Sequence, residues 1–236
     1  MVRFSIIIPT YNEEKYIKKT LESIKKQDYK DVEVIVADSN SKDKTLAIAR
    51  KAYKGVKIHV EKRRGVPLAC NKSAKVAKGE ILLFIDADTS ITGTLLKAYD
   101  EAFKGSGVVA ATGPIVPLEK TSKKISIGFK VISVYLVKFF IKIGQPSTIS
   151  SNLAISRKAY LKIGGFDESL ATFYDWDISN RLSKIGKIIF VNGAIAKTSV
   201  RRVEKWGMFK YFIYHLGNNI RYHLYHTAKN DYEPIR

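Results

Sequence analysis

The stretch Ile81-Leu82-Leu83-Phe84-Ile85-Asp86-Ala87-Asp88 decides the reading of this chain. Five apolar residues in a row fit a strand buried on both faces, which is how strands of a parallel sheet read. Two carboxylates follow, one residue apart, where such a strand would surface. That pair can hold one divalent cation, and magnesium and manganese favour carboxylate, water and phosphate oxygen. A solvated turn after a strand has the same composition, so the pair alone does not decide the chemistry.

Working outward, the first ~110 residues alternate apolar runs with helical periodicity. Strands are expected at Arg3–Ile8, Val32–Ala37, Val56–Glu61 and Glu80–Ile85. Helices are expected at Glu13–Gln27, capped by Asn12, at Lys44–Tyr53, and at Pro67–Lys78, ended by Gly79. The pattern predicts an α/β domain with a mostly parallel sheet flanked by helices. Ligands of such sheets sit at the carboxyl ends of the strands, which singles out the loops after Ile8, Ala37 and Ile85. Val108–Thr112 reads as a further strand.

The chain has 236 residues and a formal net charge of +19. That charge suits an anionic partner such as a nucleotide, a lipid phosphate or a membrane surface, or else a lysine-rich solvated face. Nucleic acid would suit the charge too, but no RNA-binding signature accompanies it and that reading leaves Asp86 and Asp88 unexplained. The single cysteine, Cys70, excludes an internal disulfide. No apolar run reaches the ~18 residues that span a bilayer, and the N-terminus reads as a strand rather than a secretory signal. Lys120 to Lys142 carries six lysines and no acid among Ile, Val, Phe and Leu. From Trp206 on, Phe209, Phe212, Ile213, Leu216, Ile220 and Leu224 recur at helical spacing. Either segment can pack on the sheet or lie on a membrane. His59 reads as structural, and His215, His223 and His226 lack companions at metal-ligand spacing.

Three loops carry groups suited to a nucleotide. Pro9-Thr10-Tyr11-Asn12-Glu13 offers an aromatic face and hydrogen-bonding groups, or is simply a stopped strand and a cap. Asp38 can accept from a nucleobase, while Ser41 and Asp43 read as turn residues. A triphosphate cradle needs a glycine-rich loop after the first strand, and Pro9–Glu13 has no glycine.

With Asp86-Ala87-Asp88 these segments resemble the family 2 glycosyltransferases. The resemblance rests on Pro9–Glu13, Asp38–Asp43, Asp86–Asp88, Gly164-Gly165-Phe166-Asp167-Glu168 and Tyr174-Asp175-Trp176-Asp177 with Arg181-Leu182, in that order over roughly residues 3–200. It implies the GT-A fold, a Rossmann-like sheet. Residues 1–200 would form the catalytic domain, with 1–110 the nucleotide half and 111–200 the acceptor half. Residues 201–236 would be a basic, aromatic helical extension. It further implies inverting transfer from a UDP- or GDP-sugar, with Mn2+ or Mg2+; the basic segment Lys120–Lys142 and the aromatic C-terminus point to a glycan or polyprenyl-phosphate acceptor at the cytoplasmic face of the cell membrane.

By the same resemblance Pro9, Thr10, Tyr11 and Glu13 hold the nucleoside, Asp38 reads the base, and Arg63 or Arg64 touches the donor. Asp86 contacts ribose or metal and Asp88 ligates the metal. Gly165, Phe166, Asp167, Glu168 and Trp176 shape the sugar and acceptor site. Asp175 is the general base, with Asp177 the competing carboxylate and a partner for Arg181 at i+4. Trp176 is expected to cover Asp175 and raise its pKa. Two departures stand out. Tyr174 replaces the Glu that usually opens the base motif, which leaves a catalytically inactive sugar-nucleotide-binding relative as an alternative. The strand that often carries a histidine reads Ala196-Lys197-Thr198, followed by Arg201 and Arg202, which are expected to bind phosphate.

Overall fold

The computed structural model describes residues 2–225. Four parallel strands form one half of the main sheet: β1 (Phe4–Thr10), β2 (Val32–Asp38), β3 (Lys57–Val60) and β4 (Ile81–Phe84). Helices α1 (Ile17–Lys25), α2 (Thr45–Ala52) and α3 (Val66–Val76) connect them. After β5 (Thr89–Ile91) and α4 (Leu95–Ala102) come β6 (Val108–Thr112) and β7 (Ile115–Pro117). Next are α5 (Lys123–Lys130), a π turn (Val131–Leu136) and α6 (Val137–Lys142), then β8 (Leu153–Ser156) and α7 (Arg157–Lys162). The chain continues through α8 (Tyr174–Ser183), β9 (Lys187–Phe190), β10 (Ala196–Thr198), α9 (Arg201–Trp206) and α10 (Met208–Tyr225).

The main sheet runs β3-β2-β1-β4-β8-β6-β9, and β5-β10-β7 form a small second sheet. Strand β8 is antiparallel to both its neighbours, while the other pairings in the main sheet are parallel. Alternate residues of each central strand face opposite layers. Ile6, Ile8, Val34, Val36, Ile81 and Leu83 pack with α1, whereas Ile7, Ile35, Leu82 and Phe84 pack with α3. Both faces are therefore covered, which is why these strands lack polar alternation.

Two expected details are corrected. Helix α1 starts at Ile17, not Glu13, and Asn12 does not cap it: Asn12 adopts φ +54°, a left-handed turn conformation that Asn tolerates. Gly79 does not end α3, which stops at Val76. A Cβ on Gly79 would lie 2.4 Å from the Ser5 amide nitrogen, so the residue is glycine because backbone passes over backbone there. We expect Gly79→Ala to destabilise the fold by about 1–3 kcal/mol in urea melts, against no measurable loss for Gly93→Ala, which has open space around it. In the C-terminal stripe, the side chains of Phe212, Leu216, Ile220 and Leu224, like those of His215, His223 and His226, lie outside the described residues, while Phe209 and Ile213 are exposed.

Candidate active site

Strands β2, β1 and β4 are neighbours, so their carboxyl ends bring the three expected loops side by side. The first two are tied together by side chains. Asp38, fully buried, accepts from Thr10 Oγ1 (3.2 Å), from the Ser41 amide (2.8 Å) and from Ser41 Oγ (2.5 Å). The Asn12 amide donates to Ser41 Oγ (2.9 Å), and its Oδ1 accepts from the Lys42 amide (2.8 Å). Asp43 accepts from the amide and hydroxyl of Thr45, as a turn residue should. The Thr10 hydroxyl thus serves Asp38 rather than facing outward. Pro9 pairs with Ala37 inside the sheet. Beyond them, the Arg64 guanidinium lies 4.6 Å from the Tyr11 ring centroid and donates to its hydroxyl.

The third loop carries the acidic pair. Burial raises the pKa of Asp86, and the charges of Asp88, Glu13 and Asp175 push it further, to about 8. Burial raises Asp88 too, against the pull of Arg201. Arg201, from the start of α9, donates to Glu13 Oε1 (2.8 Å) and lies 3.0 Å from Asp88 Oδ2, with its guanidinium over the Tyr16 ring. Burial disfavours the Arg201 charge, but the bond to Glu13 and the charges of Asp88 and Glu13 outweigh it and hold the guanidinium firmly protonated. Thr198 Oγ1 donates to Asp88 Oδ1 (3.4 Å) and the Ser199 amide to Asp88 O (3.2 Å). The 198–201 segment therefore grips Asp88 where the family often has a histidine. Lys197 faces elsewhere, into a groove with Lys19 and Lys26, and Arg202 stacks on Trp206.

The antiparallel course of β8 delivers the opposing wall. Its first residue, Leu153, pairs with Phe84 at the end of β4. The Ser150–Asn152 turn just before it therefore lies beside the acidic loop. The Ser150 amide donates to Asp175 Oδ2 (3.3 Å), and the Trp176 amide donates to Asp175 Oδ1 (3.0 Å). Burial raises the Asp175 pKa while these two amides pull it down. The direction is the expected one, but Trp176 contributes through its amide with the opposite sign; its indole packs on Phe140 and Phe173. Tyr174, in the place of Glu, donates from its hydroxyl to Ser150 Oγ (3.3 Å). Burial and the charges of Asp86 and Asp175 keep that phenol neutral. Asp177 points away from this wall, bonding Arg181 Nε (2.9 Å) and Tyr222 Oη (2.9 Å).

The Gly164–Glu168 segment is held from below by Asn71, which the sequence reading missed. Its amide nitrogen donates to Phe166 O (2.9 Å) and Glu168 Oε1 (3.0 Å), and its Oδ1 accepts from the Phe166 amide (2.9 Å) and Tyr160 Oη (2.6 Å). Gly165 adopts φ +78°, and a Cβ there would meet Asn71 Oδ1 at 2.4 Å. Phe166 is 3% exposed and packs on Phe84, Tyr160 and Tyr174. Its ring is core beneath the site, not pocket wall, which corrects that expectation. Asp167 folds onto Ser169. The signal available in sequence was a lone amide in the otherwise apolar run Leu68-Ala69-Cys70-Asn71.

A divalent cation fits the acidic pair. Two carboxylates raised by burial and by their neighbours' charge are what such an ion relieves. Among the described residues no group of three or more His, Cys, Asp or Glu is placed to hold a metal. Asp86 and Asp88 would then be its protein ligands, with phosphate and water completing the shell.

The family model "Glycosyl transferase family 2" matches residues 5–164, and "Glycosyltransferase like family 2" matches residues 119–233. Poly(ribitol-phosphate) beta-N-acetylglucosaminyltransferase TarS of Staphylococcus aureus is 42% identical over 103 residues, 41% of this chain and 18% of that protein. A dolichyl N-acetyl-alpha-D-glucosaminyl phosphate 3-beta-D-2,3-diacetamido-2,3-dideoxy-beta-D-glucuronosyltransferase of Methanococcus voltae is 34% identical over 133 residues, 52% of this chain and 41% of that protein. The chain thus spans less than half of either relative. In three dimensions it is similar to the mannosyltransferase PcManGT of Pyrobaculum calidifontis in complex with GDP-Man and Mn2+. The TM-score is 0.71 at 22% identity, over 93% of this chain and 64% of that one. It is also similar to S. aureus TarS 1–349 in complex with UDP-GlcNAc, with a TM-score of 0.65 at 24% identity, over 84% and 58%. The architecture is GT-A, and with a family model covering well over half of its length, this chain belongs to glycosyl transferase family 2.

Proposed function

We propose that this protein moves a sugar from a UDP- or GDP-sugar to an acceptor hydroxyl or lipid phosphate at the cytoplasmic face of a membrane, with inversion at the anomeric carbon. The observation that carries the reading is the acidic pair at the end of β4 with a half-buried carboxylate, Asp175, close enough for its charge to act on Asp86. Tyr11 and Arg64 would take the nucleoside, and Asp38, through its fixed loop, the base. Mn2+ or Mg2+ bound at Asp86 and Asp88 would neutralise charge gathering on the leaving diphosphate. The complexes of PcManGT with GDP-Man and Mn2+ and of TarS with UDP-GlcNAc favour a nucleotide-sugar donor and a divalent ion. The dolichyl N-acetyl-alpha-D-glucosaminyl phosphate in the Methanococcus enzyme's name favours a lipid-linked acceptor.

Inversion requires one in-line displacement. The acceptor oxygen forms a bond to the anomeric carbon as the bond to the diphosphate oxygen breaks. A hydroxyl acceptor must lose its proton, and Asp175 receives it. A carboxylate held above its ordinary pKa by burial is the stronger base for that step. The Ser150 and Trp176 amides fix its orientation, and the Tyr174 hydroxyl steadies Ser150. An ionised lipid phosphate carries no proton to remove, so transfer to it would place little demand on Asp175.

A thermal-shift screen of nucleotide sugars with and without Mn2+ tests the donor. We expect one UDP- or GDP-sugar to raise Tm in the presence of Mn2+, by ligand linkage, and the shift to shrink in Tyr11→Ala. A screen in which no nucleotide sugar stabilises the protein contradicts the proposal.

A further inference from the structure

Between β7 and β8 the chain forms a nearly continuous helix, α5, the π turn and α6, that touches the body along a narrow line. Over residues 123–142 only Ser133 and Val137 are buried. Ser133 fixes the helix: its Oγ donates to Ile115 O (2.9 Å) and accepts from the Ile115 amide (3.2 Å). Ile141 and Phe140 pack inward, but five large apolar side chains do not join the core. Ile127 is 61% exposed, Tyr135 57% and Phe139 55%, and Val131 and Ile143 are exposed too.

These five residues stand four apart, at 127, 131, 135, 139 and 143. In a regular α-helix such a row drifts by about 40° at each step. The π turn, which bonds i to i+5, holds more residues per turn and takes back part of that drift. The irregular turn at 131–136 thus keeps the row on one side, away from Ser133 and Val137. Charge borders the row. Lys123, Lys130 and Lys142 are exposed and stand three or four residues from Ile127 or Phe139, the spacing of neighbours on one helix side. Residues 120–142 contain no acid.

We infer that this face is a docking surface for an anionic lipid bilayer, the helix lying in the interface with its apolar row among the acyl chains and its lysines at the head groups. An aliphatic and aromatic row beside unopposed lysines is complementary to anionic lipid. It is poorly suited to a second copy, which would oppose lysine to lysine on a chain of net charge +19. The placement serves the active site: Ser133 anchors the helix to β7, which pairs with β10, whose end grips Asp88. The inference deepens the proposed action on a lipid-linked acceptor and rests on it for its purpose. The binding itself is measured without nucleotide or acceptor, so the two fail separately.

The test is flotation of the whole chain with vesicles of phosphatidylglycerol and phosphatidylcholine, against phosphatidylcholine alone, at low and high salt. Wild type is expected to float with the anionic vesicles at low salt and to be released by salt. Tyr135→Glu/Phe139→Glu is expected to weaken that binding at least ~10-fold. Its unfolding temperature should be unchanged, since both side chains are exposed. Absence of wild-type binding to anionic vesicles overturns the inference. So does a loss smaller than ~10-fold in a folded variant. So does concentration-dependent dimerisation by light scattering that the double variant abolishes, which would make a second copy the occupant.

Discussion

Asp175→Asn is expected to lower kcat for transfer to a hydroxyl acceptor by about 10²–10⁴-fold, the range for loss of a positioned proton acceptor, while the dissociation constant for the donor stays the same. The substitution keeps shape and one of the two acceptor oxygens, so one of the Ser150 and Trp176 amides loses its bond; that costs about 1–3 kcal/mol and should leave the fold standing. What it removes is basicity. The wild-type enzyme should also show an acid limb in kcat/KM set by a group titrating above the ordinary carboxylate range. The sign follows from burial, which favours the protonated carboxyl, so the base switches off at a higher pH than a solvated aspartate would. The variant should lose that limb. Unchanged kcat with a hydroxyl acceptor would remove Asp175 from the mechanism. An unchanged rate confined to a lipid-phosphate acceptor would instead identify the acceptor as one that brings no proton.

Asp88→Ala should cost at least ~10³-fold in Mn2+-supported turnover, because it removes one of the two carboxylates proposed to hold the ion at the leaving diphosphate. It also strips Arg201 of one of its two acidic partners and leaves Glu13. The clearest readout is binding: Mn2+ should no longer raise the Tm of the variant with nucleotide diphosphate, whereas wild type shows the shift. A variant that keeps both its Mn2+-dependent shift and its rate would place the cation elsewhere.

Much of this was written plainly in the chain, and the reason is burial. Strands β1, β2, β4 and β6 are mostly apolar, without polar alternation, because both faces are covered, so their runs read directly. Strands β5, β7 and β10 have three residues each, too few for any period; β5 and β7 were not expected, and β10 was placed only by the family resemblance. Asn12 looks like a helix cap from sequence because cap and left-handed turn favour the same residue; only tertiary bonds to Ser41 and Lys42 choose between them. The π turn leaves no compositional mark. In the site, the acidic pair and Asp175 stood out as motifs. The link between Arg201 and Glu13, 188 residues apart, did not. Nor did the inward turn of Thr10 and Phe166, residues that motif reading assigns to ligand but that packing claims for the core.

Crystals grown with UDP or GDP and Mn2+, with data collected at the manganese absorption edge, decide where the cation and the nucleotide sit. The account places the anomalous peak against Asp86 and Asp88, bridging to the diphosphate, with the nucleoside over Tyr11 and the Asp175 carboxylate across the pocket. A manganese peak or a nucleotide bound away from the end of β4 would contradict it.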